Sequence, residues 1–440
     1  LVLVLTAMAA PVASAQTVPA AAPETDTTDV YETRRNHVLA FPKYVWDALV
    51  FPVGKFTIWL ERKEIPQRLI EMFTLEDVLE LYPYATLGGE TGTAGGVSLL
   101  YADLFGRGKG ISTSFIANSS NYSGLVGFED PGIGGGPWYW NASFEALKTR
   151  NGDATINGEL RKSGSLLEHE QRDTRLTLGR RSNYGVTEGY EPDAVVELRL
   201  SHGFRKFAAG DLDPGRFPGL NRAINLFSVG AMAAFDDRDF KPPAASISLP
   251  LNYQLPGRVL LFADDRYYSF RDTAFPEHGG FARVEADYAT GSDDARYFRY
   301  TAELQRFFTL FFRDRILGIR ARLDRAHALG DGRIVPYSDM PDLGGGDRLR
   351  GYRRGFFRGA GSLLLSAEYR YPIWDTWNAF LFLEEGQVFD RYGDIEPGRF
   401  EYSYGAGISV RTERSFLFGV RIARSREEKA LTGFSLEKEF

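Results

Sequence analysis

Arginine, aspartate and glycine, rather than histidine or cysteine, carry what chemical potential this 440-residue sequence has. Cysteine is absent, which removes thiol catalysis, disulfides and thiolate-bound metals. The five histidines, His37, His169, His202, His278 and His327, are scattered. They form no His-Glu-x-x-His pair, and no Gly-x-Ser-x-Gly nucleophile turn occurs. Two acidic clusters, Asp236-Asp237-Arg238-Asp239 and Asp264-Asp265-Arg266, offer hard oxygens of the kind calcium takes. The arginines within them neutralise that charge, so solvated ion pairs at strand ends are the simpler reading. No catalytic residue, metal or cofactor is expected, and the chain is expected not to be an enzyme.

The densest motif is Asp342-Leu343-Gly344-Gly345-Gly346-Asp347-Arg348-Leu349-Arg350-Gly351-Tyr352, followed by Arg353-Arg354-Gly355-Phe356-Phe357. A glycine-rich loop with several arginines can cradle a phosphate. This one lacks the Lys-Ser/Thr pair and the following helix of a phosphate loop. It could equally be a mobile loop, because it lies between two strand patterns.

Period-two alternation dominates from Ala94 onward. Leu363, Leu365, Ala367, Tyr369 and Tyr371 alternate with Ser362, Ser366, Glu368 and Arg370. Tyr402, Tyr404, Ala406, Ile408 and Val410 alternate with Ser403, Gly405, Gly407, Ser409 and Arg411, and residues 283–288 and 298–305 repeat the pattern. Further strands are expected at 96–104, 110–120, 137–148, 173–181, 194–202, 223–235, 258–268, 315–325, 377–389, 415–424 and 431–440. Aromatics crowd one face and charges the other, strand after strand. That combination fits lipid outside and a polar lumen inside.

Composition agrees. Aromatics are 14% of the chain, with 33 Phe and 22 Tyr, yet hydrophobic content is only 43%. Beyond the first 15 residues no apolar run reaches the roughly 20 residues that a membrane-crossing helix needs. In a bilayer only a closed barrel leaves a sheet without unpaired backbone groups. The expected fold is therefore all-β, a closed antiparallel transmembrane barrel. At roughly 22 residues per strand and loop, residues 94–440 would hold about 16 strands.

Residues 1–15 end in Ala13-Ser14-Ala15 and read as the remnant of a secretory signal. Residues 16–93 are expected to form a periplasmic linker and a short amphipathic helical segment. Val45, Trp46, Leu49 and Val50 share one helical face there, and Leu69, Ile70 and Phe73 lie on a second stretch.

The run Leu-Arg-Gly-Tyr at 349–352 resembles the signature of the sixth extracellular loop in the BamA/TamA superfamily, the bacterial surface-antigen barrels. The resemblance implies a loop folded into the lumen, with Arg350, Gly351 and Tyr352 as its motif. It also implies acidic partners for the arginine on nearby strands. Glu368, in Ser366-Ala367-Glu368-Tyr369, matches one. Glu384, two residues before Gly386, matches the other, with Glu where the family has Asp. Asp103-Leu104-Phe105-Gly106-Arg107-Gly108 resembles the family's first-strand ending. Five strand patterns follow the loop, and the terminal pattern ending in Phe440, with Gly433 and Leu436, resembles a barrel-folding signal. POTRA domains, periplasmic in the family, have no recognisable counterpart.

What the resemblance implies is insertion or translocation of proteins, or of lipids, at the bacterial outer membrane. A weak seam between first and last strands would admit an incoming strand, and Gly92, Gly95 and Gly96 are expected to weaken it. A passive diffusion pore and a structural surface antigen are the alternatives. Expected partners are outer-membrane lipid and lipopolysaccharide, client barrel proteins or lipoproteins, and a separate periplasmic protein. The net charge of −6 gives no reason to expect nucleic acid.

Overall fold

The computed structural model describes residues 74–75, 79–86, 94–104, 109–118, 121–130, 132–157, 159–182, 193–238, 278–310, 315–346, 348–353, 355–374, 377–411, 416–427 and 431–438. All of them fall in one unit, Leu69–Phe440. The expected signal remnant, the linker, the helical stretch of 41–73, the strand at 258–268 and Phe440 lie outside the described residues.

The described residues fold as β1 (Thr74–Leu75), β2 (Leu79–Thr86), β3 (Ala94–Leu104), β4 (Lys109–Ala117), β5 (Tyr122–Asp130), β6 (Trp138–Ile156), β7 (Glu159–Arg181), β8 (Asp193–Ala208), β9 (Arg222–Asp236) and β10 (Gly279–Gly291). They continue as β11 (Arg296–Thr309), β12 (Ile316–Ala328), β13 (Asp342–Leu343), β14 (Phe357–Arg358), β15 (Gly361–Trp374), β16 (Trp377–Phe389), β17 (Glu401–Arg411), β18 (Phe416–Ser425) and β19 (Leu431–Lys438). Every pairing with a defined register is antiparallel between neighbours in this order, save that β12 pairs with β15 across the excursion of β13 and β14. β9 pairs with β10, and β19 lies beside β2 in the sheet. β13 and β14 form a separate two-residue ladder.

One face of the sheet is apolar and open. Val284, Leu198, Leu381, Leu383 and Leu304 are all exposed on it. On the other face Glu303, Arg322, Glu384 and Ser403 are buried. A soluble sheet hides its apolar face and wets its charged one, so this inverted distribution needs lipid outside. Arg322 shows how the inner charges are held. It donates from Nε to Asp324 Oδ2 at 2.8 Å and from Nη1 to Glu303 Oε2 at 3.3 Å.

The sheet begins earlier than the expected boundary at 94. Leu79–Thr86 pairs with Ala94–Leu104 along its whole length. Pro83 within it disguised the pattern, since proline is confined to edge strands and bulges. Two other expectations are corrected with it. Gly95 and Gly96 pair with Ala85 and Tyr84 inside the β2–β3 ladder, so they do not lie at the junction of first and last strands. Asp103-Leu104 closes β3, the second full-length strand, and not the first. β5 is also an addition to the sequence reading.

Two ends of the sheet differ. At one end the connections include the hairpin of β6 and β7 and the loops at 209–221, 329–360 and 390–400. β6 and β7 rise beyond their neighbours there. The partner of β6 on one side stops at Lys148, and that of β7 on the other stops at Glu168. At the opposite end the shortest stretch between strands, 375–376, joins β15 to β16, and the longest, 237–278, joins β9 to β10.

Candidate functional site

The long loop between β12 and β15 does not stand clear of the sheet. Leu343, Leu349, Tyr352, Phe357 and Leu364 bury one another in a compact cluster, with Phe356 packed beside it. Gly344, at φ +109°, makes the loop's inward turn. A side chain there would also strike the carbonyl oxygen of Arg353. Gly344 and Gly345 donate backbone hydrogen bonds to the carbonyls of Arg348 and Tyr352, which closes the turn on itself.

Arg350 projects from this turn onto the wall. Its Nε donates to Glu384 Oε1 at 2.7 Å, and its Nη1 donates to Glu368 Oε2 at 2.5 Å. Its backbone N–H donates to Glu384 Oε2 at 2.6 Å. Ser403 Oγ on β17 donates to the same oxygen at 2.9 Å, and Arg370 Nε donates to Glu368 Oε1 at 2.7 Å. Both carboxylates are thus shared between the loop and the wall. Phe382 lies under the guanidinium, 3.7 Å from ring centre to carbon, a cation–π contact. Burial works against the Arg350 charge, but Glu384 and then Glu368 outweigh it and raise its pKa above the ordinary arginine value.

Tyr352 extends the grip to another strand. Its hydroxyl donates to Glu401 Oε2 at 3.1 Å. Burial, and after it the Glu401 charge, push the phenol's pKa well up. Between them Gly351 runs against the wall. A Cβ there would meet the carbonyl oxygen of Arg424 and the Cβ of Ser403, both at 2.8 Å. Gly386 makes the reciprocal room, because its added Cβ would meet Leu343 and Leu349 side chains. The structure therefore brings Arg350, Gly351, Tyr352, Glu368 and Glu384 together. Gly433 and Leu436 sit elsewhere, paired with Arg421 and Phe418 along β18–β19.

A second attachment, absent from the sequence reading, holds the start of the loop. Arg205 on β8 donates from Nε to Asp339 Oδ1 at 3.0 Å and from Nη1 to Asp173 Oδ1 at 2.8 Å. Tyr337 stacks on Phe207 at 4.3 Å and meets the edge of Phe217 at 5.4 Å. Its hydroxyl accepts the backbone N–H of Thr155 on the raised part of β6. Arg358 gathers the carbonyls of Tyr337, Ser338 and Met340 with Nη1 and reaches Asp342 with Nη2. Strands β9 to β12 separate this attachment on β7 and β8 from the clasp on β15 to β17.

Within the acidic cluster at 236–239, Arg238 Nη2 donates to Asp236 Oδ2 at 2.9 Å, and both are buried, which corrects the expectation of a solvated pair; Asp239 lies outside the described residues. No group of three metal-ligating side chains occurs among the described residues. Asp264-Asp265-Arg266 lies outside them.

Residues 265–427 match the Omp85 superfamily domain. The crystal structure of BamA from Haemophilus ducreyi lacking POTRA domains 1-3 is similar in fold, with a TM-score of 0.56 at 12% identity, over 82% of this chain and 70% of that one. CdiB from Acinetobacter baumannii aligns with a TM-score of 0.52 at 15% identity, over 83% and 60%. CdiB from Escherichia coli gives 0.52 at 12%, over 83% and 63%. The chain thus spans less than two thirds of either CdiB chain. No curated protein sequence matches it. Among the described residues every strand belongs to the large sheet or to the two-residue ladder, so none builds a POTRA-like unit. Residues 265–427 thus match an Omp85 superfamily domain, and the described sheet has the fold shared by BamA and CdiB, that of bacterial outer-membrane barrel proteins.

Proposed function

We propose that this protein assists insertion or translocation of proteins at the outer membrane, without chemical catalysis. The observation that carries the reading is the Arg350 clasp. An inward loop is anchored to Glu368 and Glu384, and both strands lie within the Omp85 superfamily match. In this reading the sheet closes as a barrel through β2 and β19, with the loop-bearing end outward. That orientation rests on the resemblance of the 349–352 run to an extracellular-loop signature.

The β2–β19 junction is the seam of the proposed mechanism. These two strands meet over a much smaller extent than any other neighbours among the full-length strands. Pro83 in β2 cannot donate to a ladder. A client strand would add to the freed edge by main-chain pairing, which supplies affinity with little demand on sequence.

Reconstitution tests this directly. Liposomes holding the purified protein should speed the insertion of an urea-unfolded outer-membrane barrel, read as protease protection and heat-modifiable migration. Unchanged insertion, together with a large steady conductance for small ions, would favour the passive pore instead.

A further inference from the structure

The outward face carries an arginine whose surroundings are unlike those of the inner ones. Asp324 and Ala326 of β12 are buried on the inner face, so Arg325 between them points outward. It faces Tyr300 across the β11–β12 ladder and Gly361 across the β12–β15 ladder. Gly361 leaves a notch that the Phe389 ring fills, 2.5 Å from where a Cβ would stand. The guanidinium lies 5.7 Å from the Phe389 ring centre and 5.8 Å from that of Tyr392.

The 390–400 loop completes this collar by folding down over the outer face. Gln387 donates to the carbonyl of Asp394 at 2.8 Å and accepts the N–H of Glu396 at 3.1 Å. That fold sets the Tyr392 hydroxyl against the Tyr300 hydroxyl. Toward the middle of the strands the same face is apolar, with Leu304, Leu381 and Leu383 exposed. The collar therefore stands where apolar surface gives way to loops, the headgroup level at which aromatic girdles lie.

Arginines on the inner face are matched with carboxylates, as Arg199, Arg322 and Arg350 are. Arg325 has no carboxylate within 4.0 Å among the described residues. Arg296, farther toward the rim on the same face of β11, bonds the Tyr288 hydroxyl and likewise has no carboxylate. Four residues along a strand separate it from the Tyr300 position, roughly 13 Å. A cation at the lipid boundary with no internal counter-ion takes one from the lipid, and guanidinium matches phosphate with paired donors.

We propose that Arg325 and its aromatic collar bind the phosphorylated headgroup of an outer-leaflet lipid, with Arg296 placed to meet a second phosphate. The proposal rests on the outward orientation given under the proposed function. It does not depend on the protein handling clients.

Native mass spectrometry of the purified full chain in detergent tests it, with lipid A and its dephosphorylated form as probes. Lipid A should bind at least about tenfold tighter than the dephosphorylated lipid, and Arg325→Ala should abolish that preference. Arg325→Lys should retain part of it, and Arg424→Ala, on the outward face elsewhere, should leave it intact. Equal binding of both lipids by the unaltered protein would overturn the proposal whatever the variants do. So would an undiminished preference in Arg325→Ala, an equal loss in Arg424→Ala, or displacement by inorganic phosphate at matching concentration. Heat-modifiable migration checks that each variant is folded, and Arg325→Gln replaces the alanine variant if it is not. Failure here leaves the insertion assay above unaffected, so the two readings fall separately.

Discussion

Arg350 holds Glu384 twice, once through Nε to Oε1 at 2.7 Å and once through its backbone N–H to Oε2 at 2.6 Å. A loop residue that engages one carboxylate with both side chain and main chain fixes the loop's position and its direction together. Removing either partner leaves a charge in a dry place. Arg350→Ala or Glu384→Ala should therefore destabilise the protein by about 3–5 kcal/mol, the range for breaking a buried pair. Glu384→Gln keeps the shape and should cost less. Urea unfolding in lipid bilayers, followed by tryptophan fluorescence, measures the order; equal losses for Glu384→Ala and Glu384→Gln would contradict a contribution from the hydrogen bonds that Gln can keep.

Gly351→Ala asks whether close approach, and not charge, seats the loop. The new methyl would press on the Arg424 carbonyl and the Ser403 Cβ at 2.8 Å, and neither is the free end of a flexible chain. Overpacking of this kind typically costs about 1–3 kcal/mol. The loop should lift, exposing Arg348 and Arg353 to trypsin in intact cells. Protection equal to that of the unaltered protein would show that the wall yields.

Arg205→Ala should loosen the loop's start while leaving the Arg350 clasp in place, because β9 to β12 lie between the two attachments. Tyr337→Ala removes the ring stacked between Phe207 and Phe217 and should cost about 3–5 kcal/mol, as for other large aromatic truncations. Combined with Arg350→Ala, the effect of Arg205→Ala on stability should add to within about 0.5 kcal/mol if the attachments are independent. A large coupling term would mean that the loop moves as one rigid piece.

Tyr352 gives a pH-dependent readout. Burial and Glu401 raise its pKa, so the neutral, donating form is favoured in the folded protein. Its stabilising bond should be complete below the ordinary tyrosine value of about 10 and be lost only as pH climbs through the raised one. The ultraviolet difference between the unaltered protein and Tyr352→Phe should show no tyrosinate at pH near 10. Ionisation there would place the phenol in water.

Much of the sheet is legible in the sequence because one face meets lipid and the other does not. Where that contrast weakens, legibility fails. In β5, Tyr122–Asp130, Gly124 and Gly127 interrupt the alternation, and in β2 Pro83 reads as a strand breaker. The outer halves of β6 and β7 rise beyond their neighbours and carry loops on one side, so their residues follow no lipid pattern. The clasp was visible only through the resemblance of the Arg-Gly-Tyr run and its downstream acids. Ser403, Glu401 and the Arg205–Asp339 pair depend on register and on a loop crossing the lumen, and no local spacing encodes either.

The most direct measurement of the central claim is the composition of the outer membrane after this protein is depleted in its own bacterium. A defined set of outer-membrane proteins should fall while their unfolded precursors accumulate in the periplasm. An unchanged protein set, with only small-solute uptake reduced, would contradict it.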